Sequence, residues 1–155
     1  MQAPKFWYRS RSWQAVLLSP LGALYAWATA RRQKNARPTR VDIPVVCIGN
    51  LNVGGTGKTP TTIAIAQMFI SRGIAVHIVS RGYGGSLQAV TQVDPGTHTS
   101  DETGDEPLLM AAFAPTWVAN ERVEGARAAQ NAGADVILLD DGFQDPSLVK
   151  DLSKG

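Results

Sequence analysis

The run Asn52-Val53-Gly54-Gly55-Thr56-Gly57-Lys58-Thr59 constrains this chain more than any other feature. Its glycines have no Cβ, so the backbone can curl tightly and aim successive N–H groups at an anion. The pattern approximates G-x-x-x-x-G-K-[ST], with Asn52 where the first glycine belongs, and asparagine tolerates positive φ better than most residues. Lys58 would reach the β and γ phosphates of a nucleoside triphosphate as a point charge. The Thr59 hydroxyl would take one position on Mg²⁺. Val53, Gly54, Gly55, Thr56, Gly57, Lys58 and Thr59 are therefore the expected ATP-binding residues. Upstream, Pro44 to Ile48 is a short apolar run suited to a buried strand. Downstream, Thr59 to Arg72 reads as a helix stopped by Gly73. Strand, loop and helix follow in the order that a phosphate-binding loop needs.

The same alternation continues along the chain. Ala75 to Ser80 reads as a second buried strand running into Arg81-Gly82-Tyr83-Gly84-Gly85, and Arg81 would sit where α/β proteins place ligand groups. Leu87 to Asp94 alternates weakly, as a short strand or hairpin arm, before a polar loop through Thr99 and Ser100. Asp105 is expected to cap an apolar helix that ends before Pro115. Capping alone explains that carboxylate, although one near the loop could also accept a proton from an attacking hydroxyl. Trp117 to Ala119 is a strand candidate, and Glu121 to Asn131 a helix opened by Arg122 and closed by Gly133. Val136-Ile137-Leu138-Leu139-Asp140-Asp141 is an apolar strand ending in two carboxylates, an arrangement that positions Mg²⁺ opposite a phosphate loop. Asp140 and Asp141 are the candidate metal ligands with Thr59, and Lys58 and Asp141 are catalytic candidates. His77 reads as structural, and His98 as a solvated loop residue. The expected fold is α/β: a P-loop NTPase-like, mostly parallel sheet with flanking helices, which 155 residues at 44% hydrophobic content can build. A single cysteine, Cys47, excludes an intrachain disulfide and is expected in the core of the first strand.

The net charge of +2 conceals an asymmetry. Residues 1–40 hold eight basic side chains and no acidic one, leaving the remaining 115 residues at −6. Six of the eleven aromatics, Phe6, Trp7, Tyr8, Trp13, Tyr25 and Trp27, also lie in this head. Trp and Tyr favour membrane interfaces, and no charge occurs between Arg11 and Arg31. Ser19-Pro20 should break the segment into two helices, each too short to cross about 30 Å of hydrocarbon. A packed helix hairpin, a membrane span and a secretory signal are the competing readings. The basic flanks favour an amphipathic segment lying at the membrane surface. Residues 1–40 thus form a membrane-associating helical segment and residues 41–155 the nucleotide-binding domain, with Ala36 to Asp42 as linker.

Four blocks in order carry a family resemblance: Gly49-Asn50-Leu51 leading into Val53 to Pro60, Ser80-Arg81-Gly82-Tyr83-Gly84-Gly85, Gly104-Asp105-Glu106-Pro107, and Leu139-Asp140-Asp141-Gly142-Phe143-Gln144. On these the chain resembles the tetraacyldisaccharide 4′-kinases, the lipid A 4′-kinases of Gram-negative bacteria. The resemblance implies transfer of the ATP γ-phosphoryl, with Mg²⁺, to the 4′ hydroxyl of an acylated glucosamine disaccharide 1-phosphate. It would occur at the cytoplasmic face of the inner membrane, with neither nucleic acid nor an obligate protein partner. It implies Asp105 as catalytic base, Lys58 and Thr59 on phosphates and metal, and Asp140 and Asp141 in the metal and catalytic region. Asn50, Arg81 and Arg122 are the candidate substrate-side residues. Two departures stand out. Many members carry His after Asp-Gly-Phe-Gln where this chain has Asp145, and the chain ends at Gly155, about halfway through the family's length. A strand expected after Leu152 is replaced by Lys154-Gly155, so the chain reads as a truncated kinase with impaired turnover. The alternatives are a membrane-associated switch ATPase of the partitioning or division-site type, which would place lysine where Val53 stands, and a membrane-binding fragment without a working site.

Overall fold

The chain divides into two compact units, residues 1–36 and 37–155. A computed structural model describes residues 38–49, 57–142 and 145–154 of the second unit, and Pro20 and Gly22, both helical and exposed, of the first. The expected surface-lying segment, the loop residues Asn50, Val53, Gly54, Gly55 and Thr56, and Phe143 and Gln144 lie outside the described residues. Among the described residues no helix is long and apolar enough to cross a membrane.

The second unit is a six-stranded sheet between helices. In chain order it runs β1 (Val45–Ile48), α1 (Lys58–Ile70), β2 (Val76–Ser80), β3 (Thr91–Gln92), α2 (Ser100–Thr103), α3 (Asp105–Ala111), β4 (Thr116–Val118), α4 (Arg122–Asn131), β5 (Val136–Asp140) and β6 (Leu152–Lys154). The strand order is β3-β4-β2-β5-β1-β6. All neighbours are parallel except β3 against β4. Mostly parallel pairing with helix crossovers buries both faces, which is why β2 and β5 are apolar almost without interruption.

Alternate residues of β5 feed two separate cores. Ile137 and Leu139 pack with Val45, Cys47, Val79 and the α4 alanines Ala126 and Ala129. Val136 and Leu138 pack with Ile48, Ile78, Ala66 of α1 and Met110 of α3. This period of two is the pleat of the strand, and each such buried Ile or Leu contributes about 2 kcal/mol. Cys47 is fully buried at the centre of the first core. His77 is also buried, its Nδ1 accepting a hydrogen bond of 3.2 Å from Nε1 of Trp117.

Helix ends follow glycine where the sequence predicts it: Gly73 at φ 75° closes α1, and Gly133 at φ 91° closes α4. Four local expectations need correction. Asp105 is the first residue of α3 and not its cap. Gly104 takes the cap position at φ 88°, a conformation that an aspartate would enter only under strain. The polar stretch after Thr99 forms the short helix α2, because Thr99 and Glu102 close a capping box. Residues 38–42 are tied to the body and do not behave as a linker. Thr39 donates to the Ser147 carbonyl and accepts from the Val149 amide, Val41 is buried, and Asp42 exchanges hydrogen bonds with Gln130. Finally, Leu152 to Lys154 does form a strand, parallel to β1, held in register by Asp151, whose carboxylate accepts from the Val45 amide at 3.0 Å and pairs with Arg40.

Candidate active site

The register of the central strands fixes the site. Ile48 lies level with Asp140, and Val79 with Leu139, so β1, β2 and β5 all end on one line. Chain segments leaving that line carry nearly every polar residue singled out from the sequence: the loop into Lys58, Arg81 after β2, and Asp141 after β5. Ligands of open α/β sheets bind at this carboxyl edge.

Lys58 is the first residue of α1, behind Gly57 at φ 73°. Its Nζ lies 2.9 Å from Oδ1 of Asp141. That hydrogen bond raises the lysine pKa against the opposing effect of partial burial, with Asp141, Asp140 and Glu106 adding negative field. Thr59 is buried beside it. Asp141 sits at φ 54°, the one non-glycine residue in the left-handed region among the described residues. Aspartate is one of the few residue types that reaches this region without a large penalty. Its backbone N–H donates to the Ile48 carbonyl at 3.0 Å, stitching the end of β5 to the end of β1.

Asp140 is poorly accommodated as a charged group. It is 3% exposed, its Oδ2 receives only a long 3.5 Å hydrogen bond from the Ser80 hydroxyl, and its Oδ1 has no partner among the described residues. Burial first, then the charges of Glu106 and Asp141, push its pKa up to about 6. A buried carboxylate with an orphaned oxygen, in a field made more negative by two neighbours, has the chemistry of a ligand for a divalent cation. No three His, Cys, Asp or Glu side chains converge into a ready-made metal cage among the described residues. A Mg²⁺ ion here would take its remaining ligands from the Thr59 hydroxyl, phosphate oxygens and water, as Mg²⁺ at nucleotide sites usually does.

The rim is built by close backbone contact between two of the sequence blocks. A Cβ on Gly85 would collide with the Glu102 carbonyl, one on Gly82 would come within 2.5 Å of Val118, and one on Gly104 within 2.8 Å of the Tyr83 carbonyl. Ser86 and Leu87 donate to the Asp101 and Glu102 carbonyls at 3.0 Å each. This docking brings the loop bearing Arg81 and Tyr83 against the start of α3, where Asp105 and Glu106 are exposed. Tyr83 is 98% exposed and Arg81 is exposed.

Arg122 occupies a different position from the one its substrate-side expectation requires. It is 4% exposed, with Nη1 donating to Oδ2 of Asp145 at 2.7 Å and Nη2 donating to the Asp141 carbonyl at 2.6 Å. Both terminal nitrogens are thus engaged inside the protein, while Nε is buried without a partner among the described residues. Sequence reasoning missed Ser80, Glu106 and Asp145. Ser80 was visible as a polar residue ending a buried strand, and Glu106 as an acid beside Asp105. Asp145 stood out only as the departure from the family's histidine, and its pairing with Arg122 had no local signal.

The comparisons with known proteins agree on one family. The family model described as tetraacyldisaccharide-1-P 4′-kinase matches residues 14–154. The tetraacyldisaccharide 4′-kinase of Dinoroseobacter shibae is 59% identical over 99% of this chain and 46% of its own length. That of a Jannaschia species is 54% identical over 99% of this chain and 47% of its own. A crystal structure of LpxK from Aquifex aeolicus in complex with ATP aligns with a TM-score of 0.77 at 30% identity, covering 90% of this chain and 48% of that one. The chain spans about half the length of the curated relatives it matches. Because the family model spans nearly the whole sequence and these relatives align with 99% of it, the chain belongs to the tetraacyldisaccharide-1-P 4′-kinase family.

Proposed function

We propose that this chain forms the ATP- and Mg²⁺-holding part of a lipid kinase that transfers the γ-phosphoryl group to the 4′ hydroxyl of a tetraacylated glucosamine disaccharide 1-phosphate. The observation that carries the reading is the buried Asp140 carboxylate with an unpartnered oxygen, beside the Lys58–Asp141 pair. Val53 to Gly57 would wrap the phosphates with backbone N–H groups. Lys58, released from Asp141, would meet the β and γ phosphates. Thr59, Asp140 and Asp141 would hold Mg²⁺. The ion neutralises charge on the phosphate oxygens. Asp105, exposed at the first position of α3, would take the proton of the acceptor hydroxyl as that oxygen bonds to the γ phosphorus and the bond to the departing ADP oxygen breaks. Asn50 and Arg81 would face the acceptor, whose phosphate suits the guanidinium.

The cationic, aromatic residues 1–40 would hold the enzyme against anionic headgroups on the cytoplasmic leaflet of the inner membrane, peripherally or monotopically. Sedimentation with anionic vesicles tests this: deleting residues 1–40 should abolish co-sedimentation, and equal binding by both forms would refute it. The kinase reading is tested by transfer of labelled γ-phosphate to the acylated disaccharide 1-phosphate in detergent micelles. Residues 1–155 should bind ATP, and a chain extended to the relatives' length should transfer readily. Failure of that longer chain to phosphorylate the acceptor would overturn the reading.

A further inference from the structure

The turn after β5 opens on a left-handed residue that its neighbours hold in place. Asp141 is at φ 54° with its carboxylate largely in solvent, in a region that aspartate enters at modest cost and can also leave. Gly142 next to it is packed so closely that a Cβ would lie 3.1 Å from Leu139 and 3.2 Å from Sγ of Cys47. The brace comes from α4. Arg122, the first residue of that helix, drives its guanidinium beneath the turn, one nitrogen on the Asp141 carbonyl at 2.6 Å and the other on the Asp145 carboxylate at 2.7 Å.

Asp145 is in turn fixed on every side. Its backbone N–H donates to the Gly142 carbonyl at 3.2 Å, its Oδ1 accepts from the Ser147 amide at 2.9 Å, and its carbonyl accepts from Nζ of Lys150 at 2.7 Å. Burial would raise its pKa, but Ser147 and Arg122 more than reverse that and leave it at about 2. It therefore stays ionised at any ordinary pH. A guanidinium this buried is tolerated only with a paired anion, so neither partner is dispensable.

We propose that Arg122 and Asp145 are positioning residues: together they fix the backbone at Asp141 so that the Asp141 carboxylate stands where it can hold Lys58 and serve the cation. This deepens, and rests on, the reading of the carboxyl edge as an ATP and Mg²⁺ site. The two-pronged geometry matters, because a guanidinium serves a carbonyl and a carboxylate at once while an ammonium supplies a single point of charge. Arg122→Lys should therefore keep the charge and lose the lock.

The test compares wild type, Arg122→Lys and Asp145→Asn in the full 155-residue chain. Two quantities are read after circular dichroism confirms folding: amide hydrogen exchange along residues 136–147, and affinity for a fluorescent ATP analogue with Mg²⁺ or with EDTA. Both variants should keep protection in β5 and lose it at Asp141 and Asp145. Their Mg²⁺-dependent gain in affinity should fall about tenfold, as when a residue that orients a metal ligand is removed, with affinity in EDTA changing less than about twofold. Asp145→Glu should restore part of the gain. Unchanged protection of the turn overturns the proposal, as do affinities that fall in parallel with and without Mg²⁺, the signature of a general structural brace. If wild type itself binds no nucleotide, the reading of the site fails. The exchange data then still decide whether Arg122 and Asp145 lock the turn.

Discussion

Asp135 and Asp140 flank and end the same strand, β5, and receive opposite treatment. Asp135, just before its amino end, is exposed, and its Oδ2 accepts the Ala75 amide at 2.8 Å, closing an edge donor that would otherwise go unpaired. Asp140 ends the strand buried, one oxygen orphaned, its acidity weakened by its surroundings. One carboxylate serves the fold. The other is held at a cost to the fold, as functional side chains often are. The two ends of the sheet differ likewise: Gly73 and Gly133 at the amino edge have open space where a Cβ would lie, whereas at the carboxyl edge a Cβ on Gly85 would collide with the Glu102 carbonyl and one on Gly104 would lie 2.8 Å from that of Tyr83.

The contrast can be broken by substitution. The largest effect belongs to Lys58→Met, which should weaken ATP binding by about 2–3 kcal/mol, the worth of a charge-assisted contact to phosphate, with little change in melting temperature; titration calorimetry reads the first and scanning calorimetry the second. Next is Gly85→Ala, which sets a methyl group against the Glu102 carbonyl and should cost about 2 kcal/mol of stability in urea denaturation by undocking the rim loops.

Asp140→Asn should act in the opposite direction from most buried substitutions. The folded-state pKa of about 6 lies above the reference value of 3.8, so the contribution of this group to stability is fully present below about pH 4 and is lost as pH rises through 6. In EDTA at about pH 8 the asparagine variant should therefore be more stable than wild type by about 1–2 kcal/mol, and at about pH 4 the two should converge. Denaturation midpoints at the two pH values check this; a variant less stable at pH 8 would mean that the carboxylate is comfortable as it stands. The smallest effect should come from Asp135→Ala, about 1 kcal/mol destabilising, with ATP affinity untouched.

Much of this was legible in the sequence because the signals are local. Continuous apolar runs announce strands buried on both faces, and the glycine–lysine–threonine run and the paired aspartates announce the edge where ligands gather. What stayed hidden depends on contacts between distant segments. Arg122 looks like any basic residue opening a helix until Asp145 and the Asp141 carbonyl are seen around it. The cap of α3 was misplaced because Gly104 is held at φ 88° against the loop before it, and no neighbour of Asp105 in sequence reveals that loop. Strand β6 escaped notice because it is short and depends on Asp151 reaching across to β1.

ATP at the carboxyl edge of this sheet would be held through Lys58 and its cation through Asp140. Calorimetric titration of residues 1–155 with ATP, in Mg²⁺ and in EDTA, for wild type and Asp140→Asn, decides this. Wild type should bind saturably and more tightly in Mg²⁺, and Asp140→Asn should bind with an affinity that Mg²⁺ leaves unchanged. Absence of ATP binding to wild type, or an equal Mg²⁺ effect in both proteins, would rule out this arrangement.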